Sequence, residues 1–266
     1  MFYAKSYPSF IKTIKKDIEL VTYSVNEKST FQAKNIDFEL DGVAFDLESP
    51  KGTHKVKSRL NGLFNVYNIL AAISASSSEG IEIDKIIHAL KDAQEVPGRF
   101  QIIQSEKKPN VPMCIVDYAH TPDGLENILK AALLIKKSKG KNSKLICVFG
   151  CGGDRDPTKR PKMGKIAEEL SDLVIVTSDN PRSEEPKQII SDILSGIKNT
   201  SSIIVEADRK VAIQIAVEKA SENDVIVIAG KGHEDYQILK DKTIHFDDRE
   251  EVRKILEGFS SLRGTK

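Results

Sequence analysis

The chain has 266 residues, 39% hydrophobic and 30% charged, the balance of a globular protein able to bury a sizeable core. At about 150 residues per domain, that length allows one large domain or two ordinary ones. Lys and Arg outnumber Asp and Glu by 40 to 39, and a net charge of +1 argues against a nucleic-acid partner or an anionic membrane surface. No run approaches the roughly 18 apolar residues of a membrane span, and Met1 opens no signal-peptide pattern. The three cysteines, Cys114, Cys147 and Cys151, are too few and too odd in number for a disulfide framework. A cytoplasmic α/β protein of one or two domains is expected.

In chain order, 38–47 alternates around an Asp-Gly turn at Asp41-Gly42, which predicts an antiparallel hairpin. An Ala-rich helix is expected over 60–78 and a second over 83–94. Val96-Pro97-Gly98 breaks the pattern, and a domain boundary is placed there, giving domains 1–97 and 98–266. From that point strands and helices alternate. Nearly continuous apolar runs at 111–116, 144–149, 172–177 and 224–229 suit strands buried on both faces of a parallel sheet. Leu125, Ile128, Leu129, Ala132 and Leu133 form a helical stripe, with Pro122 suited to the first turn. Similar stripes occur in 163–170, 187–197 and 208–220. The lysine-rich stretch 136–144 reads as a surface loop. The alternation predicts βαβ crossovers and a doubly wound sheet.

In such sheets ligands bind beyond the carboxyl ends of the strands. Four unusual clusters follow the four runs: Asp117-Tyr-Ala-His120-Thr-Pro122, Gly150-Cys-Gly-Gly-Asp154-Arg155-Asp156, Ser178-Asp179-Asn180-Pro181-Arg182 and Gly230-Lys231-Gly-His233-Glu234-Asp235. Glycine-rich turns let backbone N–H groups approach an anion. Charges of both signs at one edge suit a zwitterionic ligand better than a polyphosphate alone. Singly, each cluster has a plainer reading. Gly150-x-Gly-Gly is short of a dinucleotide fingerprint and also fits a tight turn. Asp-Asn-Pro-Arg fits a capped turn, Asp117 fits a helix cap, and His120 or His233 fits a structural histidine. Cys147 and Cys151 have no matching ligand pair, so no metal site is expected.

In order and spacing these clusters resemble the Mur ligase family, on the branch that adds meso-2,6-diaminopimelate to UDP-N-acetylmuramoyl-L-alanyl-D-glutamate. Phe64-Asn-Val-Tyr-Asn68 and Pro97-Gly-Arg99 extend the likeness, which runs from about residue 20 to the end. The resemblance implies a Rossmann-like, doubly wound C-terminal domain preceded by the C-terminal part of an ATP-binding α/β central domain. It implies a cytoplasmic ligase of peptidoglycan precursor synthesis. The peptide carboxylate is phosphorylated by ATP, and the incoming amine then displaces phosphate through a tetrahedral intermediate. Carried over residue by residue, Asn65 and Asn68 lie near the adenine. Arg99 reaches the phosphates, Asp117 accepts from the ribose, and His120 shapes that wall. Arg99, Asp117 and His120 form the catalytic set. Diaminopimelate falls to Arg155, Asp179, Asn180, Pro181, Arg182, Gly230 and Glu234, where guanidinium groups suit carboxylates and Glu234 suits an ammonium.

The family's UDP-binding domain and its Gly-Lys-Thr/Ser phosphate loop have no counterpart in this sequence, since Lys231 is followed by Gly232. Mg2+ is therefore expected mainly through upstream residues, and Lys5 is a doubtful match for the family's carbamylated lysine. The chain reads as a fragment whose partners are ATP, diaminopimelate, the UDP-MurNAc-dipeptide and its own upstream half. The alternative is a non-catalytic diaminopimelate-binding module or the remnant of a truncated ligase.

Positioning supplies most of the catalysis in phosphoryl transfer, and no lysine-bearing loop here cradles the transferred group. The polypeptide alone should therefore release phosphate from ATP only at the no-enzyme background, with Mg2+ and both other substrates present. Robust turnover by the purified chain contradicts this reading.

Overall fold

The computed structural model describes residues 19–39, 42–105 and 110–258. Lys5 and the two turn residues 40–41 of the expected hairpin lie outside them. The first part comprises β1 (Tyr23–Ser24), β2 (Phe31–Glu39), β3 (Gly42–Ser49), β4 (Gly52–Ser58), α1 (Leu63–Ser78) and α2 (Ile83–Lys91). The strands lie in that order in one sheet. β2, β3 and β4 are antiparallel, and β1 runs parallel to β2.

The expected hairpin is the pairing of β2 with β3, closed with Glu39 opposite Gly42. Upstream of it, the apolar positions Phe31, Ala33, Ile36 and Phe38 slip by one residue. A bulge between Lys34 and Asp37 takes up the slip, with Asn35 left-handed at φ +49°, so both halves of β2 face the same core. That core sets Val43, Phe45, Leu47 and Val56 against Val66, Ile69, Leu70 and Ile73 of α1 and Ile86 and Ile87 of α2. This part thus closes a core of its own. α1 starts at Leu63 rather than 60, because Gly62 stands at φ +92° before it. α2 ends at Lys91 rather than 94, with Asp92 as its C-cap.

An exposed coil over 92–97 leads into the second part. Its elements are β5 (Gln101–Ile103), β6 (Met113–Asp117), α3 (Pro122–Lys139), β7 (Leu145–Phe149), α4 (Lys159–Leu170), β8 (Leu173–Val176), α5 (Pro186–Leu194), β9 (Ile203–Val205), α6 (Arg209–Lys219), β10 (Val225–Ala229), β11 (Tyr236–Ile238), β12 (Thr243–His245) and α7 (Asp248–Gly258). A six-stranded sheet has the order β5-β6-β10-β7-β8-β9, with every neighbour parallel except the edge strand β5. β11 and β12 form a separate antiparallel hairpin.

Alternate strand residues point to opposite faces, and each face buries its own helices. Ile115, Cys147, Phe149, Val176 and Val227 pack beneath α3, α4 and α5. Cys114, Ile146, Val148, Ile175 and Ile228 pack beneath α6 and α7. The result is the expected doubly wound α/β layer. Thr121 caps α3 by accepting from Gly124 N at 3.1 Å, with Pro122 in the first turn. Lys136, Lys137 and Lys139, expected in a loop, form the last turn of α3, where cations meet the helix's exposed carbonyls. The two parts touch where the ring of Phe64 in α1 lies 5.7 Å from that of Phe100.

The boundary near Pro97 has a direct check. Brief proteolysis should cut within 92–97 and leave two protected fragments, one starting near 97–99. Uniform resistance, or loss of the whole first part, would count against a boundary between two separately cored units.

Candidate active site

All five parallel strands end on one side of the sheet. β6, β8, β7 and β10 therefore deliver the four clusters to a single edge, around a cleft of about 570 Å³. His120, Arg155, Asp179, Asn180, Arg182, Gly230 and Glu234 line it. Pro181 is buried behind them. Asn65, Asn68, Arg99 and Asp117 do not line it.

The segment after β8 is built from its own polar groups. Asp179 is only 6% exposed, and its Oδ1 accepts from Asn180 N at 2.6 Å. Asn180 Nδ2 donates to Glu234 Oε2 at 2.9 Å, while its Oδ1 accepts from Lys231 Nζ at 3.2 Å and Ile238 N at 3.0 Å. Asn180, expected to bind the amino acid, is thus mostly occupied in joining the loops after β8 and β10. β11 braces the same segment: Gln237 Nε2 donates to Asp179 O at 2.6 Å, and Arg182 N to Ile238 O at 3.1 Å. Gly230 has no alternative. Its φ is +122°, and a Cβ there would stand 2.6 Å from Asp179 Oδ2.

The loop after β7 is fastened to this segment. Gly153 N donates to Asn180 O at 2.9 Å, and the Asp154 carboxylate accepts from Ser183 Oγ at 2.6 Å and Ser183 N at 3.2 Å. Those Ser183 bonds hold the Asp154 carboxyl below its usual range. Arg182 Nη1 donates to Gly153 O at 2.9 Å and Asn180 O at 3.3 Å. Among the described residues its Nε and Nη2 have no partner, so the guanidinium is aimed yet keeps donors for a ligand. Arg155 is exposed, with Nη1 on Asp154 O at 2.9 Å. Underneath, buried Arg160 reaches Asp192 and Glu184, each at 2.8 Å, and Glu184 accepts from Asp154 N. Asp154 and Arg182 are both left-handed, at φ +53° and +52°. Strain of this kind costs about 1–3 kcal/mol per residue and clusters at ligand clamps.

The nucleotide-side residues sit differently. The Asp117 carboxylate, expected on a ribose, accepts from Phe100 N at 2.7 Å and Ala119 N at 2.8 Å and caps no helix. Burial raises its pKa against those two bonds. Arg99 lies 4.6 Å over the Tyr118 ring. Before it, Gly98 at φ +66° crosses Gly232 so closely that a Cβ would meet the Gly232 carbonyl carbon at 2.0 Å. His120 Nδ1 donates to Tyr118 O at 2.9 Å. Asn65 Nδ2 donates to Asn61 O at 2.7 Å, and Asn68 Nδ2 to Asn65 Oδ1 at 3.1 Å, one turn from the Phe64–Phe100 contact beside Arg99.

No group of three or more His, Cys, Asp or Glu among the described residues is placed to hold a metal ion. The cleft therefore gathers no ligand set for Mg2+ among the described residues. Burial pushes the Cys151 thiol up to about 12, beside Met163 Sδ at 3.7 Å, which keeps it neutral. No described helix is long and apolar enough to cross a membrane.

Lys231, Tyr118, Tyr236 and Arg160 belong to this architecture but are absent from the sequence-derived set. Lys231 reads in sequence as one of several cations in the four clusters, although it follows an all-apolar strand between two glycines. A larger groove, about 830 Å³, opens at the opposite edge between Lys144, Ile146, Leu173, Ser202 and Ile215. It lies at the amino ends of the strands and gathers none of the four clusters, so the smaller cleft is the candidate site.

Comparison with known proteins decides the lineage. A profile described as the Mur ligase glutamate ligase domain matches residues 98–232, half of the chain, and one described as the Mur ligase middle domain matches residues 3–76. The chain belongs to the Mur ligase family. It is 49% identical over 246 residues to a UDP-N-acetylmuramoyl-L-alanyl-D-glutamate–2,6-diaminopimelate ligase of Clostridium botulinum, an alignment covering 92% of this chain and 50% of that one. A ligase of the same name from Thermosynechococcus vestitus is 47% identical over 235 residues, covering 88% and 46%. A solved structure of a ligase with that name superposes at a TM-score of 0.64 with 37% identity, covering 96% of this chain and 51% of that one. This Mur ligase chain spans about half the length of the curated relatives it matches.

Proposed function

We propose that this chain supplies the amino-acid-binding half of an ATP-dependent ligase that joins meso-2,6-diaminopimelate to UDP-N-acetylmuramoyl-L-alanyl-D-glutamate. The observation that carries the reading is the convergence of Arg155, Asp179, Arg182, Gly230 and Glu234 on one cleft at the carboxyl edge of the sheet. Diaminopimelate has an ammonium and a carboxylate at each end. The open donors of Arg182 suit the distal carboxylate, and Glu234 and Asp179 suit the ammonium beside it. That end held, the other amine is free to attack an acyl phosphate, forming the amide as phosphate leaves. ATP enters as a substrate. Asn65, Asn68 and Arg99 stand together beside the Phe64–Phe100 contact, which supports a nucleotide on that side. Asp117 would act there by holding the 98–100 segment as much as by meeting a ribose.

Lysine lacks the distal carboxylate, so with lysine bound Arg182 loses its anionic partner. A site built to hydrogen-bond a group can reject the analogue lacking it by roughly 10⁴-fold. With the phosphate-loop half of such a ligase supplied, kcat/KM should strongly favour meso-diaminopimelate over lysine. Arg182→Ala should erase most of that preference, chiefly by losing diaminopimelate. An unchanged ratio would refute the assignment of Arg182, and no amide product with either amino acid would refute the reading as a whole.

A further inference from the structure

Lys231 is the one fully buried lysine beside the cleft, and nothing in the reaction above uses it. Its side chain is 0% exposed, so it cannot touch a bound amino acid, yet its Nζ donates to Asn180 Oδ1 and Glu234 Oε2, each at 3.2 Å. The Tyr236 ring lies 5.5 Å from the same nitrogen. The ion pair occupies Glu234 Oε2, together with Asn180 Nδ2, and Glu234 Oε1 has no hydrogen bond among the described residues. Along the wall between β8 and β10 the lining carboxylates Asp179 and Glu234 stand against Arg182 and the buried Lys231, while Arg209 behind them is already neutralised by its ion pair with Asp248.

We propose that Lys231 is a specificity-determining positioning residue: a buried counter-charge that fixes Glu234 and makes this end of the cleft electrically neutral, so that it takes a zwitterionic ligand end rather than a lone ammonium. The inference rests on the amino-acid-binding reading above. Without Lys231 the same walls hold two carboxylates against one guanidinium. Such a pocket attracts a plain ammonium and repels the carboxylate that Arg182 is set to receive. A lysine that merely fills the core has no such consequence, because its removal weakens every ligand alike.

The test is calorimetric titration of the full chain with meso-2,6-diaminopimelate and with L-lysine. Lys231→Met should lower the ratio of diaminopimelate to lysine affinity by about tenfold or more, the effect of one unit charge in a partly buried site. Lys231→Gln, which keeps a donor without the charge, should do the same and carries the test if the Met variant does not fold. Lys231→Met combined with Glu234→Gln restores the charge count and should bring the ratio back toward that of the wild type, although both ligands bind more weakly. Folded single variants with an unchanged ratio, or a double variant with the ratio still depressed, overturn the role of Lys231 and leave the amino-acid site standing. A wild-type chain that binds neither amino acid overturns the underlying reading, and this inference with it.

Discussion

One guanidinium, buried under the carboxyl edge of the sheet, sets where two of the four functional loops leave it. Arg209, in the first turn of α6, donates through Nε and Nη2 to Asp248 at 2.8 and 2.7 Å, with both side chains wholly buried. Its Nη2 also reaches Ala229 O at 3.0 Å, and its Nη1 reaches Ser178 O at 3.3 Å. One rigid fork of donors thus ties the end of β10 to the chain just past β8, and both to the start of α7. Such a pair offsets its own desolvation only while complete. Losing either partner strands a buried charge, at a cost of about 3–5 kcal/mol. Asp179 and Gly230 are the next residues along those two strands, so the cleft inherits its spacing from this pair.

Above that fixed base the loops brace each other rather than the sheet. Arg160 draws Glu184 and Asp192 toward Gly152, Ser183 holds Asp154, and Asn180 spans to Glu234. The left-handed backbones of Asp154 and Arg182 persist because these bonds over-determine them. What remains open is a guanidinium with spare donors facing carboxylates with spare lone pairs. That arrangement suits a group carrying both charges, as proposed above. The aromatic wall of Tyr118, with Arg99, His120 and His233 around it, stands on the other side, where Gly98 crosses Gly232 and the first part of the chain comes in through Phe64.

Legibility in the sequence follows the physics of burial. The four central parallel strands, β6, β7, β8 and β10, announce themselves because both faces are covered, which makes them continuous apolar runs. β5 and β9 are three-residue edge strands and carry no such signal. β2 breaks its own alternation at the Asn35 bulge, so only the half after the bulge reads as a strand. At the site, Gly230, Asp179 and Arg182 are legible because glycine turns and a fixed arginine follow strand ends. The inner polar network is not. Lys231 reads as one more cation of the clusters until its burial is known, and no spacing shows the Asn180 amide bonded to Glu234, Lys231 and the backbone of β11. Asp117 likewise reads as a free acceptor, although two backbone N–H groups claim both its oxygens. Sequence spacing shows which residues reach an edge; it does not show which of them face each other instead of the solvent.

The most direct measurement is a crystal structure of the chain with meso-2,6-diaminopimelate. The amino acid should lie in the cleft between β8 and β10, with one carboxylate on the free donors of Arg182 and the adjacent ammonium on Glu234 and Asp179. Diaminopimelate bound instead in the groove at the amino ends of β7 and β8, or in the cleft with Arg182 facing no carboxylate, would contradict it.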